Sequence, residues 1–131
     1  MEERIDTKEE FSILKRAKSF THAGRGVWLY LKITHNAWIH LVFFVGAILS
    51  GFYFGITSTE WVMLVFAGGM VLTAEAFNTA IEIDIDLTSP EYHPYARDTK
   101  DVAAGAVLIS AVTAFVIGVI IFGKYIVVLM S

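Results

Sequence analysis

Three long stretches without Asp, Glu, Lys or Arg constrain this chain of 131 residues more than any other feature. They cover residues 33–59, 61–74 and 102–123. A helix that crosses a hydrocarbon core of about 30 Å needs about 20 residues, so we predict membrane-spanning helices near residues 37–56, 61–81 and 102–123. No stretch alternates with the two-residue period of a barrel strand. The sequence therefore predicts an all-α membrane protein with three transmembrane helices.

The composition narrows the classes of function. Hydrophobic residues make up 56% of the chain and charged residues 18%, which is less charge than the roughly 25% of an ordinary soluble protein. The three spans leave no room for a separate soluble catalytic domain, so we expect residues 1–131 to form a single integral-membrane domain. The chain has no cysteine, which excludes thiol nucleophiles, disulfides and cysteine-bound metals.

The basic residues are distributed unevenly and predict an orientation. Seven of the ten precede residue 33, and two more, Arg97 and Lys100, follow the second predicted span. The first connection, residues 57–60, has none. By the positive-inside rule the N-terminal segment and the segment 82–101 are cytoplasmic. Lys124 alone departs from this pattern.

An amphipathic segment precedes the first span. Apolar residues recur there at intervals of three, and basic residues lie off that stripe; the two sets are Phe11, Leu14, Ala17 and Phe20, and Lys15, Arg16 and Lys18. We predict an N-terminal amphipathic helix over about residues 8–30 that lies on the membrane surface. The alternative is a solvated helix that packs against a partner protein.

Three acidic side chains and an amide share one face at the end of the second span. At about 100° per residue, Glu82 and Asp86 each lie about 20° from Glu75, and Asn78 lies about 60° away. Asp84 points to the opposite side. Because stacked carboxylates at a membrane boundary repel one another, they need a cation or a shared proton. We call these four residues the acidic face, and they predict a metal or proton site.

Small residues at the start of the third span predict a neighbour for the acidic face. Residues 103–106 read Ala-Ala-Gly-Ala and allow a close helix approach, which would bring Lys100 and Asp101 beside the acidic face. A cation site and a phosphate-binding lysine would then share a cytoplasmic pocket. The alternative is that Lys100 and Asp101 only cap the third helix. Gly51 and Gly55 are spaced for tight helix packing or oligomerisation.

Several motifs together resemble one family. They are the run Glu75-Ala-Phe-Asn78-Thr79-Ala80-Ile81-Glu82, then Asp86-Leu87, Glu91-Tyr92-His93, and Lys100-Asp101. Over about residues 11–120 the chain resembles the prokaryotic integral-membrane diacylglycerol kinase and undecaprenol kinase family. The resemblance implies a homotrimer in the bacterial inner membrane, with cytoplasmic active sites between subunits. It also implies transfer of the γ-phosphoryl group of MgATP to the hydroxyl of a membrane lipid.

The resemblance also implies roles for single residues. Glu75 would be the general base and Glu82 the ligand of Mg²⁺, while Asn78, Lys100 and Asp101, together with Glu82, would bind the ATP phosphates. Thr34 and Asp86 are further candidates for the site. Thr34 stands where the family has a second metal-binding glutamate, so a kinase-like protein with impaired activity stays open.

Two further questions also stay open. The first is whether the chain is instead a small proton-coupled transporter with Glu75 as its protonation site. The second is the lipid acceptor, undecaprenol or diacylglycerol. The sequence around Asn78 and Ala103 resembles the undecaprenol kinases, whereas Glu91-Tyr92-His93 resembles the diacylglycerol kinases. Of the two acceptors, we favour undecaprenol.

Overall fold

A computed structural model describes residues 12–131, which form four α-helices. They are α1 (Ile13–Ile33), α2 (His35–Phe54), α3 (Ser58–Thr88) and α4 (Pro94–Met130). The last three are long and apolar enough to cross a membrane, which agrees with the three predicted spans. Many bulky apolar side chains on these helices are exposed, as expected for surfaces that face lipid; examples are Phe43, Phe66 and Phe115.

Helix α1 corresponds to the predicted surface helix. It begins after Ser12, whose side chain accepts a hydrogen bond from the Lys15 backbone N–H, and it continues three residues beyond the predicted end. Residues 8–11 of the predicted helix lie outside the described residues. All of α1 up to Leu29 is exposed. Its contact with a membrane surface stays a prediction.

Gly51 and Gly55 have separate roles at the end of α2. A Cβ atom at Gly51 would lie 2.8 Å from Cη2 of Trp61, so this buried glycine makes room for an aromatic ring of the same chain. Gly55 has φ 62° and ends the helix in the left-handed conformation that glycine adopts without strain. The spacing therefore reflects packing and termination within one chain.

Helix α3 is the central helix of the bundle and packs against both α2 and α4. It begins with a capping box, in which the Thr57 hydroxyl accepts from the Glu60 N–H and the Glu60 carboxylate accepts from the Thr57 N–H. It continues to Thr88, seven residues beyond the predicted span, because no proline or glycine follows Gly69 before Pro90.

Helix α4 begins at Pro94, eight residues before the predicted span. Pro94 occupies the first helical turn, where its missing N–H costs nothing, and His93 Nδ1 accepts from the Tyr95 N–H. Lys100 and Asp101 consequently lie about two turns inside the helix. The alternative that these two residues cap it is therefore wrong.

An ion pair joins α3 and α4 at the end of the bundle opposite α1. Lys124 Nζ lies 2.6 Å from one Glu60 oxygen, and the Tyr125 hydroxyl donates to the other at 2.9 Å. The Tyr125 ring stacks on Phe54 with centroids 5.5 Å apart. Glu60 thus neutralises Lys124, the one basic residue that departs from the predicted charge distribution.

An apolar groove of about 790 Å³ runs along the bundle. Helix α3 forms its floor with Leu64, Ala67, Gly68 and Val71, and α2 and α4 form its walls. At Gly68 the ring of Phe44 lies directly against the α3 backbone, because glycine has no side chain to hold it away. The groove reaches His40 in the second turn of α2.

Candidate active site

A polar cavity of about 260 Å³ lies at the α1 end of the bundle. The junction of α1 with α2 forms one side and the last turns of α3 form the other. Its lining residues are Ile33, Thr34, His35, Asn36, Glu75, Asn78, Thr79, Glu82, Ile83 and Asp86. All four residues of the acidic face line this one cavity. Asp84, predicted to point away, is exposed and is not among the lining residues.

Glu75 is the most buried polar group of the cavity, with only 2% of the residue exposed. Two residues of α2 act on its carboxylate: the side chain of Asn36 hydrogen-bonds to it, and His40 interacts with it electrostatically. Glu82, two turns further along α3, repels it. A carboxylate held in this position can accept a proton from a ligand that enters the cavity.

Asn78 connects the buried and exposed parts of the acidic face. Its Nδ2 donates to Glu82 Oε1 at 3.1 Å. This bond fixes the amide orientation, so that Oδ1 is left as the acceptor; Oδ1 is buried and has no hydrogen-bond partner among residues 12–131. Glu82 itself is exposed, so its carboxylate is accessible to a ligand that enters from the aqueous side.

Thr34 is the single residue between α1 and α2, and its backbone is extended. Its hydroxyl is 2.7 Å from the Thr79 hydroxyl, which joins this junction to the middle of the acidic face. Thr34 is therefore placed at the cavity as predicted, where it provides a hydroxyl oxygen in place of a carboxylate.

The two candidate phosphate-binding residues of α4 differ in position. Lys100 forms an ion pair with Asp86 and so lies at the rim of the cavity, as the small residues of α4 predict. Asp101 is outside it: its side chain is 73% exposed and lies 3.9 Å from Nε of Arg97, one turn earlier on α4.

Three polar residues of the cavity lining, Thr79, His35 and Asn36, were not predicted from the sequence as site residues. Thr79 lies about 40° from Glu75 by the same helical arithmetic that found the acidic face, so this residue was detectable. His35 and Asn36 come directly after Thr34, but nothing in the sequence shows that the chain bends there and directs them toward α3.

The donor atoms of the cavity fit a hard divalent cation. Glu82, Asp86 and the free Oδ1 of Asn78 offer oxygen ligands only, which Mg²⁺ prefers. Among the described residues, no three His, Asp or Glu side chains are grouped closely enough to hold a metal unaided. This arrangement suits Mg²⁺ that is shared with phosphate oxygens, since such ions are usually held by one or two carboxylates and a bound phosphate.

Comparison with known proteins identifies the family. The family model described as prokaryotic diacylglycerol kinase matches residues 21–122. An undecaprenol kinase from Bacillus subtilis is 37% identical over 119 residues, which are 90% of this chain and 97% of that protein. A diacylglycerol kinase from Synechocystis is 49% identical over 45 residues, 34% of this chain and 26% of that protein. The chain therefore belongs to the prokaryotic diacylglycerol kinase family.

Proposed function

We propose that this protein is an ATP-dependent lipid kinase that transfers the γ-phosphoryl group of MgATP to the hydroxyl of a membrane lipid, with undecaprenol as the favoured acceptor. The buried Glu75 in a cavity with oxygen-rich neighbours is the observation that carries the proposal. The undecaprenol kinase relative, matched over 97% of its length, favours undecaprenol over diacylglycerol.

Glu75 is proposed as the general base. Its carboxylate accepts the proton of the lipid hydroxyl as the alcohol oxygen attacks the γ-phosphorus and the bond from that phosphorus to the oxygen of the departing ADP breaks. The surroundings suit an amphiphile, because Val71, one turn before Glu75, belongs to the floor of the apolar groove. A lipid with its hydroxyl at Glu75 has apolar helix surfaces beside its chain.

The part of the acidic face beyond Glu75, from the buried Asn78 to the exposed Glu82 and Asp86, is proposed to receive the nucleotide. Glu82 and Oδ1 of Asn78 would hold Mg²⁺ together with the ATP phosphates, and the bound ion would neutralise charge that develops on the phosphoryl oxygens. The ammonium group of Lys100 has three N–H donors, so it can keep its bond to Asp86 and still bind a phosphate oxygen. These residues position the reactants, which is most of the protein's work in phosphoryl transfer.

The other two candidate functions have less support. A proton-coupled transporter needs the buried Glu75 but has no use for Asn78, Glu82 and Lys100 at the same end of the bundle. A kinase inactivated by Thr34 would have lost its metal site. Glu82 and Oδ1 of Asn78 still offer oxygen ligands, so we propose that the protein is active.

Phosphate transfer from γ-labelled ATP tests the proposal directly. Detergent-purified protein is incubated with undecaprenol, with diacylglycerol and, as a control, with the methyl ether of undecaprenol, which has no hydroxyl. We expect label in undecaprenyl phosphate, less in phosphatidic acid and none in the ether. Absence of label from both lipid alcohols would contradict a lipid kinase.

We further propose that the protein is a homotrimer in the bacterial inner membrane, with cytoplasmic active sites that two subunits share. Asp101 supports sharing, because this residue does not reach the cavity of its own chain. As a nucleotide-binding residue it would have to serve the cavity of a neighbour.

Subunit mixing tests the shared site. Glu75→Gln and Asp101→Asn chains, each expected to be inactive alone, are coexpressed with different tags and purified through both tags. If Asp101 serves the neighbouring subunit, each mixed trimer that carries both tags has one intact site of its three, and activity returns to about one third of the wild-type level. Mixed oligomers that stay inactive would show that both residues act within one subunit.

A further inference from the structure

The hydroxyl of Tyr30 has no role in the site described so far. Tyr30 belongs to the last turn of α1, and its hydroxyl oxygen is buried without a hydrogen-bond partner among residues 12–131. A buried hydroxyl that makes no hydrogen bond destabilises the folded chain, so such groups in native proteins generally have a partner. A bound ligand that enters the buried region can supply it.

Tyr30 lies within electrostatic range of the proposed general base. The negative charge of Glu75 acts on the phenol, and Thr34, one turn further on, lines the cavity and donates its backbone N–H to the Tyr30 carbonyl at 3.0 Å. The indole N–H of Trp38 donates to the Leu31 carbonyl at 2.7 Å and ties this turn of α1 to α2. The turn of α1 that bears Tyr30 is therefore fixed to α2 next to the cavity.

The ionisation of Tyr30 favours a donor role. Burial, and secondarily the charge of Glu75, raises the pKa of the Tyr30 phenol above its ordinary value. The group is then protonated throughout the physiological range, so it cannot compete with Glu75 as a base. It has one O–H to donate.

We propose that the Tyr30 hydroxyl binds the lipid acceptor by donating a hydrogen bond to its alcohol oxygen, while that alcohol donates its own proton to Glu75. The inference rests on the proposed lipid kinase function and adds a substrate-binding residue to it.

The alcohol has the right number of bonding positions for this arrangement. It has one O–H and two lone pairs. The O–H points to Glu75, one lone pair accepts from Tyr30, and the other is directed at the γ-phosphorus. Two fixed hydrogen bonds orient the attacking oxygen, which is how an active site promotes a near-attack geometry.

The substitution Tyr30→Phe removes only the hydroxyl and so tests the role of Tyr30. The control is Tyr53→Phe, because Tyr53 is an exposed tyrosine near the C-terminal end of α2, the end distant from the cavity. We expect kcat/KM for the lipid alcohol to fall about 3- to 10-fold in Tyr30→Phe, mainly through a higher KM for the lipid, as for loss of one neutral hydrogen bond. The KM for ATP and the Mg²⁺ requirement are expected to be unchanged, as are all constants of Tyr53→Phe.

Binding measurements separate this role from a structural one. Undecaprenyl methyl ether keeps the acceptor oxygen, whereas the corresponding hydrocarbon has none. We expect Tyr30→Phe to bind the ether about 3- to 10-fold more weakly than the wild type and the hydrocarbon equally well.

Two negative results are possible, and each contradicts a different proposal. If the wild type is active and Tyr30→Phe has the same KM for the lipid and the same affinity for the ether, Tyr30 does not bind the acceptor oxygen. A wild type that phosphorylates no lipid alcohol would overturn the proposed function, and this inference with it.

Discussion

Replacing Glu75 by glutamine is expected to lower the rate of lipid phosphorylation by about two to four orders of magnitude, the usual contribution of a positioned general base. Glutamine keeps the shape of the side chain and can still accept a hydrogen bond from Asn36, so the cavity is retained. It cannot take the proton of the lipid hydroxyl. The measurement is single-turnover transfer from labelled ATP in detergent-purified protein.

Asp98→Asn is the control for this substitution. Asp98 is an exposed acid on α4 that does not line the cavity and belongs to none of the motifs that carry the family resemblance, so its variant should phosphorylate lipid at the wild-type rate. Size-exclusion profiles of both variants should match the wild type. A correctly assembled Glu75→Gln protein with near-normal turnover would remove Glu75 from the chemistry.

The Mg²⁺ requirement is expected to change in opposite directions at Glu82 and Thr34. Glu82→Gln should raise the Mg²⁺ concentration for half-maximal activity more than about tenfold, since even groups that only orient metal ligands change metal affinity by about 10- to 100-fold. Thr34→Glu adds a carboxylate at the same cavity and should lower the requirement. Activity is measured against free Mg²⁺ at saturating ATP.

Asp84→Asn controls for the removal of negative charge from α3. Asp84 lies on the opposite face of the same helix, so its variant should titrate like the wild type. If both Glu82→Gln and Thr34→Glu also titrate like the wild type, the metal is not held at this cavity.

Much of the fold followed from the sequence because its strongest signals are local. Uncharged stretches of sufficient length predict spans, and the helical period places Glu75, Glu82 and Asp86 on one face; the structure agrees on both points. The helix ends were less predictable. The hydropathy of the sequence indicates where the bilayer ends, whereas backbone hydrogen bonding and capping decide where a helix ends. Helix α3 therefore continues into polar sequence as far as Thr88, and α4 already begins in polar sequence at Pro94.

The candidate site was predictable only on the α3 side. The α1–α2 side depends on the bend at Thr34, where the chain is extended for one residue. That bend brings Asn36 to the Glu75 carboxylate and Tyr30 within range of its charge, and neither proximity follows from a spacing along one helix. Contacts between helices depend on packing, which a hydrophobic pattern does not encode.

The two interhelical ion pairs have a mechanical consequence. Lys124–Glu60 and Lys100–Asp86 join α3 to α4 at points about 39 Å apart along α3, so both pairs favour the same register of the two helices. Helices α3 and α4 thus form a hairpin with two ion pairs between them, one at each end of α3. Among the described residues, α2 forms no ion pair with α3, and it packs less extensively on α3 than α4 does. A displacement of α1 and α2 from α3 therefore disrupts less packing than a displacement of α4 would.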